Sequence, residues 1–344
     1  MVKKIKFLLF PFSILYDIVT RLRNHLYTIE YRKSVQFDRL TIGVGNLRVG
    51  GTGKTPIAEY LLTQLVVHGF EASYLSRGYG RKTKGFYLVN EQDSILKVGD
   101  EALQVKQKFP NLPVAVCEQR AVGVPFLLAE HPEVNAIVLD DVFQHRSVKP
   151  HLTILLTACH DLFVHDSVLP MGMLREARKG AYRADVVIVT KCQSLNENQK
   201  NTIISEIRRY SHPKSPILFS SIVYAKKICV HGLPNLNANI CLLSGLADNQ
   251  HFYEHVQKEN RIKKYYKFKD HHNFSEEEVK EIANFVEAND NIPLVTTEKD
   301  WQRLKHHISI LEQKSISVWV IPITVTISQP QILWQKIVDA HSDI

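Results

Sequence analysis

A glycine-rich loop between an apolar strand and an apolar helix is the feature that most limits what this chain can fold into. Residues 45–55 follow an apolar run at 40–44 and precede a segment with apolar residues at positions 57, 61 and 65. Glycines let consecutive backbone N–H groups surround a phosphate, and the helix that follows contributes the positive end of its dipole. Strand, glycine loop, Lys-Thr and helix is the order of a P-loop. The pattern therefore predicts an α/β fold with a nucleotide site at the tip of its first strand.

The expected phosphate-binding segment consists of eight consecutive residues: Arg48, Val49, Gly50, Gly51, Thr52, Gly53, Lys54 and Thr55. Lys54 is expected to reach the outer phosphates as a catalytic group, and Thr55 to give its hydroxyl to Mg²⁺. The strict pattern has a glycine where this chain has Arg48, although the three glycines that follow still supply a flexible backbone. The alternative is an ordinary glycine-rich turn with a solvated lysine.

A second acidic site completes the metal prediction. The apolar run 136–139 ends in Asp140 and Asp141, and a carboxylate at the carboxyl edge of a parallel sheet faces the phosphate site. Two acids after an apolar strand are common by themselves, so the prediction depends on the loop. We expect Thr55, Asp140 and Asp141 to hold the magnesium ion.

Apolar strands alternate with helix-length stretches from about residue 39, which indicates βαβ units and a parallel sheet. The runs lie at 40–44, 72–75, 114–117, 136–139, 152–156 and 186–189. Beyond a junction rich in Pro and Asn, a second alternation follows, with a capping box formed by Ser275 and Glu278. We expect a P-loop NTPase-like core at 36–220 and a second, smaller α/β domain at 221–344 that completes the active-site cleft.

The N-terminal residues 1–35 are expected to form a separate amphipathic helix. Leu15, Ile18, Val19, Leu22 and Leu26 repeat at helical spacing, and three lysines precede them. The apolar stretch is interrupted by Pro11 and Asp17, so it is too short to cross a bilayer. We predict a helix lying in the membrane interface. The alternative is a helix that packs its apolar stripe against the core.

Charge and cysteine content exclude two classes of protein. Of a net charge of +8, the first 40 residues carry +5, from eight Lys and Arg against three Asp and Glu. So local an excess argues against a nucleic-acid-binding surface and favours attraction of this segment to anionic lipid. The five cysteines are widely spaced and odd in number, which indicates reduced thiols without a disulfide framework or a zinc site.

Seven short motifs follow one another along the chain. They comprise the loop 45–56, Ser76-Arg77-Gly78-Tyr79-Gly80, Gly99-Asp100-Glu101, Asp140-Asp141 with Phe143-Gln144-His145, the segment 169–176, the segment 268–272 and Thr297-Glu298-Lys299-Asp300. In this order they resemble the motifs of the tetraacyldisaccharide 4′-kinase family of lipid A biosynthesis.

The resemblance implies an ATP-dependent lipid kinase. In such an enzyme the γ-phosphate of ATP passes to the 4′-hydroxyl of an acylated glucosamine disaccharide 1-phosphate. The protein would work as a peripheral protein, with no spanning helix, at the cytoplasmic face of the inner membrane.

The resemblance also implies a catalytic dyad. The matching positions are Asp100 and His271. The resemblance implies that the His271 imidazole orients the Asp100 carboxylate, which accepts the proton of the sugar hydroxyl. Two motifs depart from the family pattern: Val142 stands where a glycine is usual, and Met171, Met173 and Ala177 replace the usual residues in the motif that begins at Leu169. Val142 leaves the path of its loop open, and Arg175 and Glu176 receive no assigned role.

The sequence allows two other functions. One is a P-loop ATPase or GTPase switch attached to the membrane surface, but the segment Thr190-Lys191-Cys192-Gln193 lacks the aspartate that recognises guanine. The other is a membrane-attached binding protein with a degenerate nucleotide site, which the intact Lys54, Thr55, Asp140 and Asp141 argue against. ATP turnover that depends on the acylated disaccharide would distinguish the kinase from both.

Overall fold

The computed structural model describes residues 9–193, 195–234, 237–246, 249–270 and 272–344. It divides the chain into two compact units, one formed by 1–222 with 325–344 and the other by 223–324. The five cysteines, all within the described residues, are unpaired thiols.

The larger unit is built on nine strands with helices between them. Its strands are β1 (Leu40–Asn46), β2 (Ala72–Ser76), β3 (Tyr87–Leu88), β4 (Val114–Val116), β5 (Ala136–Leu139), β6 (Leu152–Ala158), β7 (Val186–Thr190), β8 (Ile217–Tyr224) and β14 (Ile323–Ile327). Its helices are α1 (Phe10–Thr28), α2 (Lys54–Val67), α3 (Ile95–Val98), α4 (Asp100–Lys108), α5 (Arg120–Glu130), α6 (Glu197–Arg208) and α11 (Pro330–Ser342). All six strands predicted from the apolar runs are confirmed.

Strand β1 lies in the middle of the large sheet, whose order is β14-β8-β7-β6-β1-β5-β2-β4-β3. It pairs in parallel with β5 on one side and β6 on the other, and β2 pairs in parallel with β5. Every residue of β1, β2 and β5 is buried, as expected for strands covered by helices on both faces. The loops that follow these strands therefore meet at one edge of the sheet.

The smaller unit is a second α/β layer. Its strands are β9 (Ile228–His231), β10 (Asn239–Ser244), β11 (Arg261–Lys267), β12 (Leu294–Thr297) and β13 (Val318–Ile321), in the order β11-β10-β12-β13-β9. Its helices are α7 (Gln250–Gln257), α8 (Glu276–Glu287), α9 (Glu298–Leu304) and α10 (Ile308–Gln313). The predicted capping box is confirmed, since the Ser275 side chain accepts from the Glu278 N–H and Glu278 accepts from the Ser275 N–H.

The division of the chain differs from the expected one at the C terminus. The sequence predicts that the segment 325–344 belongs to the second domain, but the structure places it in the larger unit. The physical reason is burial: Leu333, Ile337 and Ala340 of α11 belong to the same apolar core as Leu40 and Ile154.

Helix α1 turns its apolar stripe outward. Leu15, Ile18, Val19 and Leu22 are 56–62% exposed, whereas polar side chains on the other side of the helix contact the rest of the larger unit. The expectation of an amphipathic N-terminal helix is confirmed, and the alternative of a core-packed stripe is not what the structure shows. No helix among the described residues combines the length and the apolar character needed to cross a membrane.

Candidate active site

The glycine loop is held in place by polar contacts on both sides. Asn46, buried at the end of β1, donates from Nδ2 to Thr52 Oγ1 over 2.8 Å. From the tip of β7, Thr190 Oγ1 donates to the carbonyl oxygen of Thr52, also over 2.8 Å. Gly53 adopts a left-handed φ of 79° immediately before α2, a conformation that glycine tolerates without strain. Lys54 and Thr55 consequently open the helix, at the positive end of its dipole.

Arg48 is committed to acidic partners at the entrance of the loop. Its guanidinium lies 2.7 Å from Asp161 Oδ2 and 2.8 Å from Asp166 Oδ2, and its backbone forms an antiparallel bridge with Leu174. The arginine that replaces the usual glycine thus fastens the loop entrance to the segment 161–174. Its side chain is directed to these carboxylates and away from a phosphate. The predicted role of Arg48 in phosphate binding therefore falls to its backbone N–H and stays a prediction.

Lys54 points at the second of the two adjacent aspartates. Its Nζ lies 3.6 Å from Asp141 Oδ1, and Arg175 Nη1 donates to both oxygens of Asp141 at 2.9 Å. Burial opposes ionisation of Asp141, but the charges of Lys54 and Arg175 outweigh it and lower its pKa. A lysine, an arginine and an ionised carboxylate therefore converge where the helix begins.

Asp140 lies deeper, beneath this pair. It is 1% exposed, and its carboxylate accepts from the Tyr74 hydroxyl over 2.8 Å and from the Asp141 N–H over 2.8 Å. Burial raises its pKa, an effect that Asp141 reinforces and that Lys54 and Tyr74 oppose. The same burial raises the pKa of Tyr74 well above its usual value. Tyr74 therefore remains a neutral donor to the carboxylate.

Two further groups lie around the aspartates: Arg120, which belongs to none of the seven motifs, and His145, which belongs to the motif of the aspartates. Arg120, fully buried in α5, donates from Nη2 to the Asp140 carbonyl oxygen over 2.7 Å. Burial, with the nearby charge of Arg120, lowers the pKa of His145 to about 4. Arg120 thus fixes the backbone at the tip of β5, and His145 is neutral near pH 7.

The structure explains how Val142 replaces the usual glycine. The left-handed backbone angle falls one residue earlier, on Asp141, with φ of 48°. The Val142 side chain is buried against Gly43, where an added Cβ would lie 2.7 Å from Val142 Cγ1. Because Gly43 of β1 has no side chain, the Val142 side chain, in the loop after β5, fits against it.

Asp100 begins α4 and is nearly buried. The preceding Gly99 has φ of 88°, and a Cβ there would come within 2.9 Å of the Tyr79 carbonyl oxygen. The motifs 76–80 and 99–101 therefore pack directly against each other, at the edge of the sheet where β2 ends.

His271 lies outside the described residues, so its predicted pairing with Asp100 stays a prediction. Its neighbours belong to the smaller unit: Asp270 accepts from Lys299 Nζ over 2.9 Å, and His272 pairs with Glu278 at 2.8 Å. In the same unit, Thr297 caps α9 by accepting from the Asp300 N–H over 3.1 Å.

Arg175 and Glu176 connect the aspartates to helix α1. Glu176 is buried and accepts from Arg183 over 2.9 Å and from Asn24 over 2.6 Å. Tyr16 donates to the Arg175 carbonyl oxygen over 3.1 Å, and Arg23 donates to the carbonyl oxygen of Gln144. The inward side of α1 is thus part of the network that surrounds Asp141, a link that helical periodicity alone does not reveal.

The donor set suits a hard divalent cation. Thr55, Asp140 and Asp141 offer hydroxyl and carboxylate oxygens, and Mg²⁺ is usually held by one or two carboxylates together with phosphate oxygens and water. Within the described part of the chain, no group of three or more His, Cys, Asp or Glu side chains converges as a self-sufficient metal site. The residues present fit an ion that is shared with a nucleotide.

Comparison with known proteins identifies relatives along nearly the whole chain. A family model described as tetraacyldisaccharide-1-P 4′-kinase matches residues 5–342. Tetraacyldisaccharide 4′-kinase from Flavobacterium psychrophilum is 42% identical over 307 residues, which is 88% of either chain. The enzyme of that name from Parabacteroides distasonis is 39% identical over 332 residues, 92% of this chain and 89% of the relative.

A solved structure shows the same fold. LpxK from Aquifex aeolicus, crystallised in complex with ATP, matches with a TM-score of 0.75 and 26% sequence identity. The match covers 98% of this chain and 99% of that one.

Proposed function

The chain belongs to the tetraacyldisaccharide 4′-kinase family, and from that membership we propose how its own residues divide the work of the reaction. It is an ATP-dependent kinase of lipid A biosynthesis. The 4′-hydroxyl oxygen of an acylated glucosamine disaccharide 1-phosphate attacks the γ-phosphorus of ATP. The bond from that phosphorus to the bridging oxygen breaks, ADP leaves, and the hydroxyl proton passes to a base.

The observation that carries this proposal is the position of Lys54. Its ammonium lies at the start of α2, 3.6 Å from Asp141, next to a loop whose backbone N–H groups follow the end of β1. A fixed positive charge at a helix N-terminus is suited to the outer phosphates, where negative charge shifts during transfer. We assign Lys54 to the γ-phosphate and residues 48–55 to the polyphosphate.

The two aspartates take different parts in this proposal. Asp141 is ionised and partly exposed beside Lys54, so it and Thr55 are placed to hold Mg²⁺. Asp140, buried and bound by Tyr74, orients the end of β5 and would be the third ligand group of the ion. When bound, Mg²⁺ would neutralise charge on the β- and γ-phosphates.

The base is proposed to be Asp100, oriented by His271 as the family resemblance implies. Asp100 begins α4, against the glycine loop that follows β2. A sugar hydroxyl is a poor nucleophile, and a carboxylate that accepts its proton as the new bond forms makes the attack feasible.

Helix α1 is proposed to place the enzyme on the cytoplasmic face of the inner membrane. Its outward stripe of Leu15, Ile18, Val19 and Leu22 is exposed, while its opposite side is hydrogen-bonded to the larger unit. An apolar stripe of this kind lowers its free energy by entering the headgroup and acyl boundary.

The direct test is a transfer assay with radiolabelled ATP and purified acylated disaccharide 1-phosphate, in which products are separated and the labelled position is identified. Label at the 4′-oxygen, together with ATP turnover that requires the acceptor, is the expected result. Turnover that is equal with and without acceptor would instead favour the ATPase switch.

A further inference from the structure

A basic cavity lies beside the C-terminal end of α1, and no ligand has been assigned to it above. Its volume is about 890 Å³. Five cationic side chains line it, Arg32, Lys33, Arg146, Lys149 and Arg183, against two carboxylates, Glu30 and Asp185. Burial raises the pKa of Asp185, and Asp185 Oδ2 also accepts from the Thr153 N–H over 2.7 Å. The lining therefore carries more cations than carboxylates, although one of the cations, Arg183, is paired with Glu176.

The fold brings these cations together from two distant segments. Val35 and Val148 form a parallel bridge, with Val35 N–H donating to Ser147 and Lys149 N–H donating to Val35, both over 2.8 Å. The Ser34 hydroxyl also donates to the Arg146 carbonyl oxygen over 2.5 Å. Positive side chains on both segments, including the exposed Lys33 and Lys149, thus share one wall region of the cavity.

Arg146, in contrast to Arg183, is hydrogen-bonded to neutral groups. Its guanidinium donates to two neutral acceptors, the carbonyl oxygen of Asn24 and the hydroxyl of Thr28. Burial and then the charge of Arg183 lower its pKa. A half-buried cation beside other cations is stabilised when an external anion enters.

We propose that this cavity binds the phosphate group of an anionic lipid at the membrane surface. Tyr27 and Thr28, the last residues of α1, line the cavity, so it adjoins the helix whose apolar stripe is exposed for membrane contact. Phosphate is the anion that lipids present at headgroup depth, where basic segments are attracted to it. Guanidinium and ammonium groups are the donors that bind phosphate in proteins.

The cavity runs from the loop after β5, where Val142, Phe143 and His145 line it, to the amino-terminal ends of β6 and β7. Thr153 and Asp185 lie at the amino-terminal ends of β6 and β7, whereas Thr190, at the carboxyl end of β7, contacts the nucleotide loop. The phosphate can come from a bilayer phospholipid or from the 1-phosphate of the acceptor. The second source rests on the proposed function.

The test uses the full-length double variant Lys33→Gln/Lys149→Gln. Both residues are exposed, and neither belongs to the proposed catalytic machinery. The matched control is Lys179→Gln/Lys214→Gln, which removes two exposed lysines of the same unit that do not line the cavity. Mg-ATP affinity, measured by calorimetry, should remain unchanged in both double variants and confirms that each is folded.

Two measurements distinguish the sources of phosphate. Co-sedimentation with phosphatidylglycerol vesicles, compared with phosphatidylcholine vesicles, reports on bilayer phospholipid. The KM for acylated disaccharide in detergent micelles, with and without its 1-phosphate, reports on the acceptor. Relative to the control, we expect the cavity variant to show either a vesicle affinity that is lower by at least about fivefold or a KM that is higher by at least about fivefold. Fivefold corresponds to the attraction of one lysine to an anionic surface.

Loss of vesicle affinity alone assigns the site to bilayer phospholipid. A raised KM that is seen only with the 1-phosphorylated acceptor assigns it to the acceptor. Equal behaviour of the cavity variant and the control in both measurements overturns the proposal. Wild-type transfer to the acceptor, measured in the same micelles, reports on the proposed function independently of either outcome.

Discussion

At the scale of single residues, the position of Lys54 beside Asp141 predicts the effect of removing the lysine. If Lys54 stabilises charge on the transferred phosphoryl group, Lys54→Ala should lower kcat by about 10²-fold or more, the scale of losing one pre-placed electrostatic contact. Steady-state kinetics at saturating Mg-ATP measure the change. Lys200→Ala, which removes a surface lysine paired with Glu197, is the control and should leave kcat unaltered. A near-normal rate in Lys54→Ala would remove the nucleotide site from its assigned place.

Tyr74 leads to a prediction about pH. The pKa of Asp140 is raised by burial, and the hydrogen bond from Tyr74 opposes that rise. Tyr74→Phe should therefore raise the pKa of Asp140 further. Because the ionised carboxylate is the active form, activity would then be lost at a higher pH on the acid side. The acid limb of the pH profile of kcat/KM for Mg-ATP, which reports on the free enzyme, should move upward.

The control for this experiment is Tyr60→Phe. Tyr60 lies on α2, and burial alone raises its pKa, so its hydroxyl is not expected to affect Asp140. An acid limb that stays in place in Tyr74→Phe, or that moves equally in both variants, would contradict a positioning role for the Tyr74 hydroxyl.

The proposed dyad is best tested by a double-mutant cycle. Asp100→Ala and His271→Ala should each impair kcat. If the two residues act as a unit, the double variant should cost much less than the product of the single effects. Losses that multiply would show that the residues act independently and would leave Asp100 without its proposed orienting partner.

The local parts of this site could be predicted from sequence, and the non-local parts could not. Lys54 and Asp141 belong to short motifs whose chemistry requires those residue types, and the structure brings them together. Tyr74 resembled any aromatic residue of a buried strand, because its partner Asp140 is 66 residues away. The carboxylates that bind Arg48 are more than 100 residues away, so no local pattern showed where its guanidinium points.

At the scale of elements, the position of a strand in its sheet decides whether its sequence alone reveals it. Central strands such as β1 and β5 are buried on both faces, which makes their sequences continuously apolar. Strands β9, β11 and β14 lie at sheet edges, and β11 has the sequence Arg-Ile-Lys-Lys-Tyr-Tyr-Lys. An edge strand tolerates charge on its exposed face, and natural edges favour it, so no apolar run marks β11.

Helix α1 allows a membrane prediction that leaves its structural contacts intact. Deleting residues 1–28 would reduce vesicle binding, but it would also remove Tyr16 and Asn24, which contact Arg175 and Glu176. The sharper variant is Leu15→Gln/Leu22→Gln, because both side chains point outward. Losing two leucines from an apolar boundary should weaken binding to anionic vesicles by at least about tenfold.

Co-sedimentation measures that loss, and turnover on a detergent-solubilised acceptor should change much less. Val67→Gln is the control, since Val67 is equally apolar and exposed but lies on α2. Unchanged vesicle binding in the leucine variant would show that the outward stripe of α1 does not enter the membrane.

At the scale of the whole molecule, the smaller unit is an insertion in the larger one. The chain leaves the larger unit after Ile222 and returns at Val325, within strands β8 and β14. A division of the sequence into consecutive domains cannot represent this path. The segment 325–344 follows the insertion directly in sequence, but its apolar side chains belong to the core of the larger unit. Only the burial of α11 beside β1 and β6 reveals which unit it stabilises.

This return of the chain predicts where a C-terminal substitution acts. Leu333 is 1% exposed within the core that contains Leu40 and Ile154, so Leu333→Ala should lower the free energy of unfolding of the larger unit by about 2–5 kcal/mol. Native-state hydrogen exchange distinguishes the units: amides of β1 and β6 should lose protection, while those of β10 and β12 keep theirs. Ile344→Ala, at an exposed position, should change the free energy of unfolding of either unit by no more than about 0.5 kcal/mol. Loss of protection confined to β10 and β12 would place α11 energetically with the insertion, against its observed packing.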